Sequence, residues 1–198
     1  MKYETACLED LCTIKTGTPT ARAKAAAEAG SALDARVLIP RAMGGGAIID
    51  DELAIEKIGM VKDEFFTREG DVVIKLSTPY DSVYVDKDHE GILVTSFGMI
   101  LRAKEETPLS MRFLSMHLNH PRTLSMLQAG STGKGAGMTV LKRRTVASIP
   151  VPLLPMERQE GLAELYFAVN DQNNEYRKLI ELGEELVASK LSDILDEE

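Results

Sequence analysis

A chain of 198 residues with 44% hydrophobic side chains can hold one core-bearing domain plus an appendage, and is too apolar to be disordered throughout. No run approaches the roughly 18 apolar residues of a membrane span, and the opening MKYETACLEDL is no signal peptide, so a soluble, cytoplasmic protein is expected. The net charge of −8 counts against a polyanionic partner only until its distribution is read: residues 151–198 carry 12 acids and 4 bases, whereas residues 1–150 carry 19 of each.

In chain order, TARAKAAAEAG (20–30) reads as a short helix ending at Gly30 or as a polar loop. ARVLIP (35–40), DVVIKLS (71–77), SVYVD (82–86) and GILVTSFGMILRA (91–103) read as strands, rich in Val, Ile and Tyr and bounded by Gly, Pro or Asp. GGG (44–46) and STPYD (77–81) are turns or mobile loops. Two short helices follow, Leu109 to Leu118 and Pro121 to Leu127, with Pro121 opening the second. A further strand, MTVL (138–141), comes after a glycine-rich loop, and the body is therefore α+β with strands dominating.

That loop, GSTGKGAG, looks made to hold a phosphate. It is no nucleotide P-loop: with Gly133-Lys134 as the G-K pair, Gln128 stands where a glycine is required and Gly135 where a hydroxyl is required, and a helix precedes it instead of a strand. Around it, residues 101–145 hold Arg102, Lys104, Arg112, Arg122, Lys134, Lys142, Arg143 and Arg144 against Glu105 and Glu106 alone. A DNA backbone would suit this +6 stretch; a solvated face and a plain surface connection are the alternatives.

At IPVPLLP (149–155) three prolines in seven residues forbid helix and favour an extended connector. Beyond Pro155, Leu162, Leu165, Val169, Tyr176 and Leu179 fall at a and d spacing with Gln172 as an interruption, and Leu186, Val187, Leu191, Ile194 and Leu195 continue the stripe in another phase. One helix from about Met156 to Leu195 is predicted, roughly 55–60 Å long and too long for the body to cover, so its stripe calls for a partner helix.

Catalytic machinery is scarce. There is no G-x-S-x-G, no H-E-x-x-H and no dinucleotide fingerprint, and His89, His117 and His120 lack triad partners in sequence. Cys7 and Cys12 are expected to be reduced thiols; their C-x4-C spacing is loose for a zinc site with the distant His117 and His120. The carboxylates Asp81, Asp86, Asp88 and Glu90 read chiefly as a solvated hairpin, since alternation sends some to opposite faces.

LEDLCTIKTGTPTAR, REGDVVIKLSTPYDSVYV, LSMRFLSMHLN and QAGSTGKGAGMTVLKRRTVASIPVPLLPMERQ, followed by a long helix, together resemble one half of the DNA-specificity (S) subunit of a type I restriction-modification system. The half-unit pattern L-x-D-[IL]-x-x-I-x-x-G-x-[TP]-P is matched by Leu8, Asp10, Leu11, Ile14, Gly17 and Pro19, and the G-D-[IV] strand by Gly70, Asp71 and Val72. The closing I-P-[IV]-P-L-x-P-x-x-x-Q is the most specific, and is matched by Ile149, Pro150, Val151, Pro152, Leu153, Pro155 and Gln159. The resemblance covers essentially the whole chain. It departs in two ways: each motif occurs once where a full S subunit repeats it, which reads as half a subunit, and the tryptophan frequent in the opening is absent.

The resemblance implies an α+β, strand-rich target-recognition domain over 1–150 that reads one half of an interrupted site in double-stranded DNA. It implies a connector and long coiled-coil-type helix over 151–198 that spaces the domains and docks methyltransferase (modification) subunits; because the exposed stripe needs a partner, two copies are expected to pair through this helix, antiparallel, as a homodimer. It leaves open whether restriction subunits join. The chain itself would be non-catalytic, with no cofactor and no metal, S-adenosylmethionine being held by the modification subunits. Candidate DNA contacts are Ser131, Thr132 and Lys134 of the glycine loop, Arg122, Lys142, Arg143 and Arg144 of the basic stretch, and Thr78 and Tyr80 of the 77–81 loop. Arg143 and Arg144 are the candidates for guanine in a major groove. Candidate helix contacts are Leu162, Leu165, Val169, Tyr176, Leu179 and Leu186. Two other readings stand beside this one: a decoy whose acidic helix captures a modification subunit without binding DNA, and a stand-alone metal enzyme using the acidic hairpin.

Overall fold

The opening motif folds into strand β1 (Thr5–Cys7), a single helical turn α1 (Leu8–Leu11) and strand β2 (Cys12–Thr16). The computed structural model describes residues 3–28, 32–131 and 140–196. Leu8, Leu11 and Ile14 are buried and Asp10 faces solvent, so the motif's apolar spacing is a packing pattern. Gly17 follows because a methyl group there would lie 2.2 Å from the Thr95 carbonyl oxygen and 2.4 Å from that of Val94. Only a residue without Cβ allows the two backbones to pass this closely.

Helix α2 (Thr20–Glu28) begins after Pro19, whose carbonyl accepts the N–H groups of Arg22 and Ala23. Its expected end at Gly30 lies outside the described residues. Strand β3 (Leu33–Leu38) stops short of the expected Pro40, which opens a 3-10 turn. A hairpin of β4 (Met43–Gly44) and β5 (Ala47–Ile48) follows, then β6 (Ala54–Ile58), antiparallel to β3.

The central sheet takes β7 (Val72–Lys75) and β8 (Ser82–Tyr84), and β9 (Leu93–Val94) pairs parallel with β3 before β10 (Gly98–Ala103) returns to the centre. Its strand order is β2-β10-β7-β8, antiparallel throughout. One face gives Ile14, Val72, Ile74, Met99 and Leu101 to the main core, and the other gives Val73, Val83 and Ile100 to a second core with Leu38, Met43 and Ile48. Burial on both faces explains why these segments read as unbroken apolar runs. The single strand expected over 91–103 is two, divided where the Gly98 N–H closes a turn on the Thr95 carbonyl.

Helices α3 (Met111–Asn119) and α4 (Pro121–Gly130) cover the main core; Ser110 Oγ caps the first and His120 Nδ1 the second. Of the strand expected at 138–141, Met138 and Thr139 lie outside the described residues; Val140 and Leu141 are not in a strand, and Leu141 is a buried anchor. A short helix α5 (Arg143–Ala147), not foreseen from the sequence, precedes β11 (Pro150–Pro152), which pairs with β1 in a two-stranded sheet whose edges tolerate proline.

Helix α6 (Met156–Asp196) runs 41 residues. Gln159 roots it: the fully buried side chain accepts from the Ser110 N–H at 2.9 Å and donates to the carbonyls of Pro108 at 2.9 Å and Leu154 at 2.8 Å. Ala163 is buried and Phe167 lies edge-on to Tyr84, with ring centroids 6.1 Å apart. The body thus covers one face of the first half of the helix, and residues 178–195 are all exposed.

Candidate nucleic-acid interface

The glycine-lysine loop is anchored at both ends beside a second loop. At its start, Ser131 Oγ accepts from the Tyr80 hydroxyl at 2.9 Å and donates to the Gln128 carbonyl at 2.8 Å. At its far side, the Leu141 N–H donates to the Leu76 carbonyl at 2.8 Å. Ser131 and Leu141 are thus held on either side of residues 77–79. Thr78 is exposed there. Thr132 and Lys134 lie outside the described residues. Tyr80 is corrected: at 1% exposure it belongs to the core, and it supports the loop instead of reaching outward.

Next to these anchors, Lys142, Arg143 and Arg144 are exposed at the start of α5. Val146 and Ala147 fasten that turn to the core, and Thr145 Oγ1 donates to the Gly130 carbonyl at 3.2 Å. Gly130 has no room for a side chain, since a methyl group would lie 2.3 Å from Thr145 Cγ2, and so α4 and α5 meet closely. Arg144 lines a cleft of about 390 Å³ with Met126, Gly130, Thr145, Ser148 and Ile149. Arg143 Nε reaches the Ile14 carbonyl at 3.3 Å on the edge strand β2. Arg122 is exposed at the opposite end of α4, roughly 12 Å away by helical rise.

Three members of the basic stretch are engaged elsewhere. Arg102 forks onto Asp71, at 2.8 Å to Oδ1 and 2.7 Å to Oδ2, and that hydrogen bonding raises its already high pKa. Lys104 Nζ donates to the Glu9 carbonyl at 2.6 Å, and the Arg112 guanidinium lies 4.8 Å over the Phe167 ring. These were invisible in sequence because their partners lie 31, 95 and 55 positions away. Among the described residues, the exposed cations grouped beside these anchors are Lys142, Arg143 and Arg144, with Arg122 apart.

The acidic hairpin disperses. Asp81 pairs with Lys75 at 2.6 Å, and Asp86 caps the turn 87–89, accepting from the N–H groups of Asp88 and His89. No group of three or more metal-ligating side chains exists among the described residues. Cys12 is buried and its thiol is pushed up to about 12 by that burial, with Lys104 pulling weakly the other way, so it is no nucleophile. No described helix is long and apolar enough to cross a membrane.

On α6, Leu162, Leu165, Val169, Tyr176, Leu179 and Leu186 are all exposed, Leu165 to 65%. Ile180, Val187 and Ile194 repeat at seven residues but stand four places from the earlier series, so the stripe carries a stutter near Gly183. The feature that sequence reasoning missed is the hairpin tip at Gly45 and Gly46, which rests on this helix; the only signal was the triple glycine.

By sequence the chain matches no family model and no curated protein. Its fold does match solved structures. The HsdS subunit from Thermoanaerobacter tengcongensis aligns with a TM-score of 0.64 and 19% identity, over 89% of this chain and 44% of that one. This is the S-subunit fold. A chain from a study of complex assembly and conformational transition of the type I R-M system aligns at 0.58 with 15% identity, over 86% and 38%. The type I restriction-modification S subunit from M. genitalium aligns at 0.50 with 12% identity, over 89% and 41%. The chain therefore spans about two fifths of the length of these three chains.

Proposed function

We propose that the chain is a DNA-recognition module of a type I restriction-modification complex, reading one half of an interrupted site and docking methyltransferase subunits through α6. The observation that carries this reading is the S-subunit fold over 89% of the chain, together with an exposed Lys142-Arg143-Arg144 run next to Leu141, which is hydrogen-bonded beside the loop 77–79. Phosphate contacts by those cations set affinity and register, and bases are read from the neighbouring loop 77–79. The residues 1–150 then act as the recognition domain and 151–198 as connector and spacer. Methyl transfer belongs to the partner subunits, and the chain supplies position.

The test replaces Lys142, Arg143 and Arg144 with Ala in the assembled complex and measures DNA affinity against salt. Each lost phosphate contact flattens the slope of log K against log salt by about 0.9, so three contacts lower it by roughly 2.7. Unchanged affinity and slope would contradict the assignment. Retained capture of a methyltransferase subunit without any DNA binding by the unmutated complex would support the decoy reading instead.

A further inference from the structure

We propose that the Gly45–Gly46 hairpin tip is a seat that fixes the angle of the body on α6, and that it thereby sets the spacing between DNA half-sites; the second half of this statement rests on the proposed recognition role. Strands β4 and β5 pair Met43 with Ile48 and Gly44 with Ala47, leaving Gly45 and Gly46 as a two-residue turn with φ of 61° and 80°. Positive φ at both positions is the geometry that suits a tight hairpin and that residues with a Cβ resist. The turn lies directly against the long helix. A methyl group at Gly46 would stand 2.6 Å from Asn170 Nδ2 and 2.8 Å from the Tyr166 hydroxyl, and one at Gly45 would stand 2.9 Å from Arg177 Nη1.

Tyr166, Asn170, Asn174 and Arg177 follow one another at four, four and three residues, which places them on one helix face. Asn170 and Asn174 are half-covered in a region where their neighbours are exposed. This face is polar and differs from the apolar stripe. Arg177 Nη1 donates to Asn174 Oδ1 at 2.7 Å, while Asn170 Nδ2 is buried with no hydrogen-bond partner among the described residues. A glycine turn on a polar face gives contact without much buried apolar area. Such a seat holds a direction, and small changes displace it.

The hairpin is rigidly part of the body. Met43 and Ile48 lie in the second core, and the Met43 carbonyl accepts from Lys75 Nζ at 3.4 Å, the same ammonium that pairs with Asp81 beside the 77–80 loop. Gln159 and Ala163 fix the root of α6, and the seat adds a second point roughly 15 Å further along. Two points define an axis. A tilt of about 10° would move the far end of a ~55–60 Å helix by roughly 10 Å, or about three base pairs at ~3.4 Å each.

The experiment uses the full chain with Cys7→Ser, spin labels at Glu105→Cys and Glu181→Cys, and excess unlabelled chain to suppress distances between copies. The buried, high-pKa Cys12 stays unlabelled. The unmodified seat gives one narrow distance; Asn170→Trp, which wedges the hairpin away, shifts or splits it by 5 Å or more, while Asn170→Ala leaves it near the original value. An unchanged distance in Asn170→Trp overturns the seat. In the second arm, half-sites separated by spacers varied one base pair at a time are offered to the assembled complex. Asn170→Trp changes the preferred spacer and leaves affinity for a single half-site intact; an altered label distance with an unaltered spacer preference overturns the spacing role. Absence of any DNA binding by the unmodified complex strikes the recognition reading instead, and the label distances still decide the seat.

Discussion

Asp71, Gln159 and Gly17 show what the motif residues of this chain do. Asp71 is 1% exposed, accepts a two-pronged hydrogen bond from Arg102, and also takes the Arg68 N–H at 2.8 Å, so it ties β7 to β10. Removing Asp71 leaves the partly buried Arg102 guanidinium and the Arg68 N–H without their acceptor, and Asp71→Ala should lower stability by about 1–3 kcal/mol in urea unfolding. A loss under about 1 kcal/mol would mean that Arg102 is satisfied without it. His117 gives a pH signature. Its Nε2 meets the Pro150 carbonyl at 3.0 Å; burial lowers its pKa below the usual 6.5, the Pro150 bond works upward, and His120 adds to the lowering. With the folded value depressed, the stabilising contribution is complete above about 6.5 and is lost as pH falls through the folded value, because the unfolded chain takes up the proton more readily. The urea midpoint should therefore fall between pH 7 and pH 5, and His117→Gln should flatten that fall. An equal pH dependence in both would remove His117 from the account. The motif residues were visible as types at fixed spacing, whereas Tyr80 and Arg102 were misplaced because burial is decided by partners distant in the chain.

Helix α6 was readable almost to its ends, since a signal repeated over many turns needs no knowledge of the rest of the fold. The strands β1, β4, β5 and β11 are two or three residues long and carry no period, and their pairing is set by tertiary contacts alone. The same reason hid the seat of the hairpin on the helix. What the periodicity conveyed correctly is an exposed stripe along Leu162, Leu165, Val169, Tyr176 and Leu179 that the body does not cover. An unsupported stripe of that length needs burial against another helix. Light scattering at tens of micromolar should give twice the chain mass, and Leu165→Asp with Leu179→Asp should return it to a monomer. A monomer before mutation would remove the pairing. Gly183 is exposed, and a methyl group there would meet nothing within 4 Å, so Gly183→Ala should stabilise the helix by up to ~1 kcal/mol in thermal melts. No gain, or a loss, would indicate that the stutter at this position needs glycine.

Taken whole, the chain joins a neutral body bearing a compact cationic run to an acidic helix. Two copies paired antiparallel would keep Asp193 and Asp196 of one helix away from those of the other, whereas a parallel pair would stack them at helix ends that already carry partial negative charge. An antiparallel pair would also set one body at each end of the spacer, related by a two-fold axis, and under the proposed function its DNA target would be an interrupted palindrome. The most direct measurement is a genome-wide map of methylated bases in cells that carry the gene and its modification subunit, compared with cells from which this gene alone has been deleted. The account predicts a methylated, two-part palindromic motif that disappears on deletion and is not restored by a copy with Lys142, Arg143 and Arg144 replaced by Ala. An identical methylation map with and without the gene would contradict it.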